Sequence, residues 1–246
     1  MAPCVWTSDA LSEQVTANKR RAALLVGGSS GLVVLLAVLL AVLGNVVIAL
    51  AIVAMAVALA AFLWLKSDTM ILASTGAVPA DQAGYARLHN LIEGLCISGG
   101  VPKPRVYVIE DAAPNAFSIG RDPRHAAIAV TTGLLQTLTR IELEGVLAHE
   151  ISHIKSYDTR PATFAATVRL GGRIGLSPQR ETLADVAGVA LTRYPPGLIA
   201  ALEKLRDDPT VVQSASRATA HLWIDAPTGR TTHPPLEERI QALREL

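Results

Sequence analysis

From Ala22 to Leu65 the chain carries no charged side chain. A charge-free run of this length is characteristic of lipid contact, and few features restrict folding more. As one helix it would extend ~65 Å, about twice the hydrocarbon core of a bilayer, so it does not read as a single span. Gly44 and Asn45 fall near its middle, and both residue types favour turns. The run therefore reads as a transmembrane helical hairpin, approximately Ala22–Leu43 and Val46–Leu65. The apolar region of a cleaved signal peptide would be far shorter. Lys19, Arg20 and Arg21 precede the first span and Lys66 follows the second, which by the positive-inside rule puts both ends on the cytoplasmic side. Trp64 stands where an interfacial aromatic anchor belongs. Gly27 and Gly31 form a small-x-x-x-small pair that would let helices approach closely.

Three regions follow: an N-terminal cytoplasmic arm (1–21), the two-span hairpin (22–66) and a water-soluble domain (67–246). A net charge of +1 gives no field that favours nucleic acid. Two cysteines, Cys4 and Cys96, make no disulfide framework and suit a reducing compartment. Cys96 lies in an apolar helical pattern with Leu91, Ile92 and Leu95 and reads as a core residue. That helix spans Asp81–Ser98 and ends at Gly99-Gly100. Strands are expected at Arg105–Glu110, Asn115–Gly120 and His125–Thr131, the last two separated by the turn-forming Asp122-Pro123. A short helix, Leu134–Leu138, and a long one, Ile141–Tyr157, follow. Ser177 as N-cap with Pro178 at the first helical position opens another helix, which stops before Pro195-Pro196. Gly197–Arg206 and Leu236–Leu246 complete the pattern. Strands followed by a helix-rich C-terminal half give an α+β domain.

The chemistry is concentrated in Val146–Lys155, VLAHEISHIK. Residues i and i+4 of a helix share a face, so His149 and His153 can turn two imidazoles to one ion. Glu150, about 100° further round, reaches a water beside that ion rather than the ion itself. Neutral imidazole suits Zn²⁺, and a catalytic zinc keeps three protein ligands and one open position. In such a site the glutamate takes the attacking water's proton and delivers it to the leaving amine. The metzincin pattern for the third ligand fails, because Ser156 and Thr159 stand where Gly and His are needed. Glu142 lies two helical turns before His149, ~10 Å along the axis and too far to share the ion. Asp158, five residues after His153, is expected to point away. Glu181 and Asp185 share a helix face: one could ligate, and the other could accept the second ring N–H of a ligand histidine. His233, ahead of Pro234-Pro235, stays open as a third ligand. His89, His125 and His221 read as structural.

Several stretches together resemble the HtpX-type membrane zinc metallopeptidases, whose relatives include the CaaX prenyl endopeptidases. They are Pro114–Gly120, Thr131–Leu135, the HEISHI run with Asp158, Arg180-Glu181 with Ala184-Asp185, His221–Ile224 and Thr232–Ile240. They fall in the family's order over about residues 68–246. The resemblance implies a zincin-like (gluzincin) fold holding one Zn²⁺ on His149, His153 and Glu181, with Glu150 as general base and Asp185 orienting a ligand. It further implies that Asn115 begins a substrate-binding edge strand, able to take a peptide as an added strand, and that its amide joins the catalytic groups by holding substrate backbone. It places His233 near the site, as a candidate stabiliser of the oxyanion.

One departure matters. Fuller members of that family carry further spans between the HExxH helix and the glutamate helix. Here Lys155, Arg160, Arg169 and Arg173 interrupt the 154–180 segment, leaving no uncharged window near the ~20 residues a span needs. That favours a site facing the cytoplasm near the lipid surface. The expected function is a membrane-anchored zinc endopeptidase of the cell membrane, acting on membrane-associated or misfolded polypeptides in protein quality control. Its partners would be polypeptide substrates and the bilayer, with no nucleic acid. The alternative is a zinc-binding membrane scaffold or chaperone-like protein that does not cleave. Against it, a structural zinc usually closes its fourth position with a protein ligand, and no cysteine stands near the motif.

Overall fold

The computed structural model describes residues 8–42, 44, 46–169, 176, 179–227 and 233–246. Asn45 of the expected turn and the helix start at Ser177-Pro178 lie outside them. The chain is a mixed α+β protein, mostly helical, with one four-stranded sheet.

Helix α1 spans Ser8–Val42, well ahead of the predicted Ala22. Residues 8–21 contain no Gly or Pro and are rich in Ala, Leu, Glu, Gln, Lys and Arg, so nothing breaks the helix before the apolar run. Helix α2, Val46–Ser74, continues past the predicted Leu65. The reason is packing: Ile71 and Leu72 are buried with Ile109, Phe117 and Ile119 of the domain beyond. The helix stops where Gly76 takes the left-handed region at φ 68°, and Ala77 N donates to Leu72 O at 2.9 Å. Among the described residues α2 is the helix long and apolar enough to cross a membrane. It lies in contact with α1.

The sheet has the order β1-β2-β4-β3, from β1 (Val78–Pro79), β2 (Arg105–Ile109), β3 (Ala116–Gly120) and β4 (Ala126–Thr131). β2 and β4 run parallel, with Val106 opposite Ile128, while β3 pairs antiparallel with β4, Phe117 opposite Ala129. The β3–β4 connection is set by Asp122, whose Oδ1 accepts from Arg124 N and His125 N. The two-residue β1 was not predicted; its run is too short to show alternation. Between β1 and β2 lies α3 (Ala86–Gly99), closed by Gly100 in the left-handed region. Asp81, predicted as its first residue, instead makes the turn before it by accepting from Gly84 N at 2.7 Å.

Helix α4 (Thr132–Thr137) leads into α5 (Arg140–Lys155), which is buried on nearly every side by α3, α7, α8 and β3. A capping box starts α5: Glu142 Oε2 accepts from Thr139 N, and Thr139 Oγ1 from Glu142 N. Among the described residues, three α-helices follow before the last: α6 (Thr159–Thr167), which was not predicted, α7 (Gln179–Thr192) and α8 (Pro195–Asp207). Prolines at the first helical positions start α8, whose NH-lacking residues cost least there. α9 (Leu236–Arg244) closes the chain and packs on α7 and α8.

Candidate metal centre

Two close helix approaches place the site. Gly188 of α7 lies so near α5 that a Cβ there would sit 2.9 Å from His149 N and 3.1 Å from its Cα. Gly145 of α5 makes the same accommodation for α8, where a Cβ would meet Leu198 N at 2.8 Å. With α7 seated this tightly, Glu181, two turns before Gly188, faces the histidines. His149, His153 and Glu181 each offer a ligand atom within 4.8 Å of the others, and all three are buried.

The hydrogen-bonding of the two imidazoles is specific. His149 Nδ1 lies 2.8 Å from Asp185 Oδ1, and His153 Nδ1 lies 2.7 Å from Asp158 Oδ2. With each Nδ1–H donating to a carboxylate, each Nε2 carries a lone pair. These two Nε2 atoms face each other at 3.0 Å, with Glu181 Oε2 at 3.3 Å from one and 3.6 Å from the other. Both Glu181 oxygens, and both of Glu150, are buried without a hydrogen bond. Three such acceptors converging repel one another unless a proton or a cation lies among them. The spacing fits one: two ligands ~2.0–2.1 Å from a tetrahedral zinc stand ~3.3 Å apart.

The charge balance agrees. Glu150, Asp158, Glu181 and Asp185 are all buried, and against these four carboxylates stand two buried guanidiniums, Arg180 and Arg239. A divalent cation would make up the difference. Burial pulls the His153 pKa down, but Asp158 and Glu181 outweigh it and push the group up to about 10. Burial likewise works against His149, yet Asp185 turns its shift upward. Burial would raise the Glu181 carboxyl, but His233, Arg180 and His153 hold it well below the usual range. The field of this cavity favours positive charge, whether protons or a metal bring it.

Asp158 corrects an expectation. It was predicted to point away from His153, as it would on a continuing helix. Instead α5 ends at Lys155, Tyr157 takes the left-handed region at φ 61°, and the reversed chain returns Asp158 to His153. Arg239 and Arg180 received no role from the sequence. Arg239 of α9 binds Asp185 through both oxygens, at 2.7 and 2.6 Å, and donates to Ile224 O at 2.8 Å. Arg180 Nε lies 3.3 Å from Glu181 Oε1 and 3.8 Å from Asp158 Oδ2. The one signal for Arg239 was its place in the Thr232–Ile240 stretch.

His233 Nε2 lies 3.2 Å from Glu181 Oε1, at the rim of the cluster. Asn115 precedes β3, but its amide is engaged: Nδ2 donates to Asp225 O at 2.8 Å, and Oδ1 accepts from Ala116 N and Asp225 N. The outer edge of β3 is also partly taken by the chain itself. Ile224 N donates to Ala116 O, Gly120 N to Thr163 Oγ1, and Trp223 bridges to Phe117. Of the candidates set aside, Glu142 is held by Lys204 at 2.7 Å, and Cys96 is buried in the core. His89 and His221 lie against the carbonyls of Ala80 and Ala162, and His125 against Asp122.

Residues 82–170 match Peptidase family M48. The chain is 39% identical to a protease HtpX homolog of Caldanaerobacter subterraneus subsp. tengcongensis, over 74% of this chain and 79% of the relative. It is 38% identical to that of Dictyoglomus turgidum, over 73% and 75%. With the Streptococcus gordonii homolog the identity is 31%, over 96% of this chain and all of the relative. That last alignment extends over 299 residues, more than this chain has, so the relative carries segments without a counterpart here.

Proposed function

Because the chain belongs to the HtpX-type proteases, we propose that it is a membrane-anchored, zinc-dependent endopeptidase whose catalytic domain faces the cytoplasm. The observation that carries the zinc assignment is the pair of Nε2 atoms 3.0 Å apart, each with its Nδ1 committed to a carboxylate, beside the buried Glu181. His149, His153 and Glu181 would hold the ion, Asp185 and Asp158 orienting the two rings. When bound, zinc supplies a Lewis acid that polarises the scissile carbonyl and lowers the pKa of water. Glu150 follows His149 on α5, and its carboxylate is buried without a hydrogen bond, so it is available to take the attacking water's proton and pass it to the leaving amine. His233, whose Nε2 lies 3.2 Å from Glu181 Oε1, would stabilise negative charge growing on the carbonyl oxygen. Asn115 serves by fixing Asp225 beside β3, so it shapes the wall along which a peptide lies.

Membrane anchoring rests on α2 and on the uncharged run shared by α1 and α2. It directs the activity towards membrane-associated or misfolded polypeptides, a quality-control role. The test is cleavage of casein by the detergent-solubilised full chain. Activity should vanish with a chelator and return with Zn²⁺, and Glu150→Gln should abolish cleavage while leaving zinc bound. Zinc retained by an intact protein that never cuts would instead indicate the non-proteolytic scaffold.

A further inference from the structure

The turn that returns Asp158 to His153 is gripped from outside by both N-terminal helices. Asn18 of α1 is 5% exposed, and its Nδ2 donates to Ser156 O at 3.1 Å. Next to it Lys19 Nζ stands 4.4 Å above the Tyr157 ring. On the far side of the turn, the Arg160 guanidinium lies 5.3 Å over the ring of Trp64 of α2, and its Nε donates to Arg121 O at 2.8 Å. Tyr157 is the residue in the left-handed region, where a side chain other than glycine persists only if its surroundings hold it. Asn18 and Lys19 lie near the end of the polar part of α1, with Arg20 and Arg21 between them and the uncharged run, and Trp64 lies at that run's other end.

We propose that Asn18 is a positioning residue for His153: by holding Ser156 O, with Lys19 on Tyr157, it keeps the left-handed turn that delivers Asp158 to His153 Nδ1. The seating of the first apolar helix on the domain thereby sets the metal affinity of the site. A buried imidazole that loses its carboxylate is no longer fixed in tautomer or ring orientation, and ligands lacking such support bind metal ~10–100-fold more weakly. Asn18 is the partner that matters most, because a carbonyl needs an N–H donor and a carboxylate of the same shape cannot supply one.

This inference rests on the zinc reading above, so its test reads metal binding rather than proteolysis. Zinc affinity is measured by competition with a chromophoric chelator on the full chain in detergent, for wild type, Asn18→Asp, Asp158→Asn and the double variant. Asn18→Asp should weaken zinc ~10–100-fold, and the double variant should be no weaker than Asp158→Asn alone, since both act through one contact. With Co²⁺ in the site, the visible absorption of Asn18→Asp should shift as that of Asp158→Asn does. Lys19→Met, at an exposed position, provides a milder variant that should weaken zinc in the same direction, and Glu13→Gln, exposed elsewhere on α1, should leave affinity unchanged. Wild-type affinity in both Asn18→Asp and Lys19→Met, or fully additive losses in the double variant, overturns the proposal while leaving the zinc reading intact. If wild type binds no zinc and His149→Ala changes nothing, the zinc reading falls first and takes this one with it.

Discussion

Single side chains in this cavity have more than one task, and substitutions should separate them. Glu181→Ala removes one of the three proposed ligands and should cost most of the bound zinc. Asp185→Ala should weaken zinc only ~10–100-fold, but Asp185 also neutralises Arg239, which is 1% exposed. Losing that partner strands a buried guanidinium, so Asp185→Ala should also cost ~3–5 kcal/mol of stability. Metal analysis with thermal melting distinguishes the two: Glu181→Ala holding zinc normally would remove it from the ligand set. Outside the site, burial pulls the pKa of His221 from 6.5 down to about 4. The unfolded chain then binds a proton at this residue below pH 6.5 that the folded chain refuses until about pH 4. Stability from this residue is complete above that window and is lost as pH falls through it, by about 3 kcal/mol in total. His221→Gln keeps an N–H for Ala162 O, so the melting temperature of chelated protein should fall less steeply across this window than in wild type. An unchanged slope would contradict the linkage.

The spacing of helices is decided by glycines whose absent Cβ is filled by backbone. A Cβ at Gly188 would meet His149 N, His149 Cα and Ala148 C at 2.9–3.2 Å, none of which can swing aside. Gly188→Ala should therefore lever α7 from α5, costing ~1–3 kcal/mol by overpacking and weakening zinc as Glu181 moves off. Gly94→Ala in α3 is the matched comparison, since its Cβ meets nothing within 4 Å. That variant should be stabilised by up to ~1 kcal/mol with unchanged metal affinity. Equal effects of the two on zinc would show that the α5–α7 approach does not set the site.

For the molecule as a whole, the buried surplus of carboxylates over guanidiniums makes the fold dependent on what occupies the cavity. Chelation should lower the melting temperature, and zinc at a hundred times its Kd should restore ~2.7 kcal/mol. Glu181→Gln, which removes one of the four carboxylates buried around this cavity, should gain much less from added zinc. The same scale explains where the site lies. Both N-terminal helices touch α6, and α6 begins immediately after the turn carrying Asp158, so His149, His153 and Glu181 lie beside the ends of the uncharged run.

Much of this was legible in the chain because it depends on local periodicity. A spacing of four positions from His149 to His153 on a helix places both rings on one face whatever surrounds them, and the same holds for Glu181 and Asp185. The uncharged run signals apolar helices by composition alone, and Gly100 ends α3 by its own backbone freedom. Other features depended on contacts made across the sequence. The continuation of α2 to Ser74 required the core that buries Ile71 and Leu72. α6 escaped notice because the charges that ruled out a membrane span also hid a short helix, whose buried face is mostly Ala and Thr. Asp158 turns towards His153 because Tyr157 is held in a conformation no local preference selects, and Asn18, which touches that turn, is 138 residues away. Arg239 is opposite Asp185 because α9 packs on α7. Sequence spacing therefore determined which groups could face one ion, since helix geometry repeats within a few residues. Only tertiary packing decided which charges support them, because those partners meet through burial of surfaces far apart in the chain.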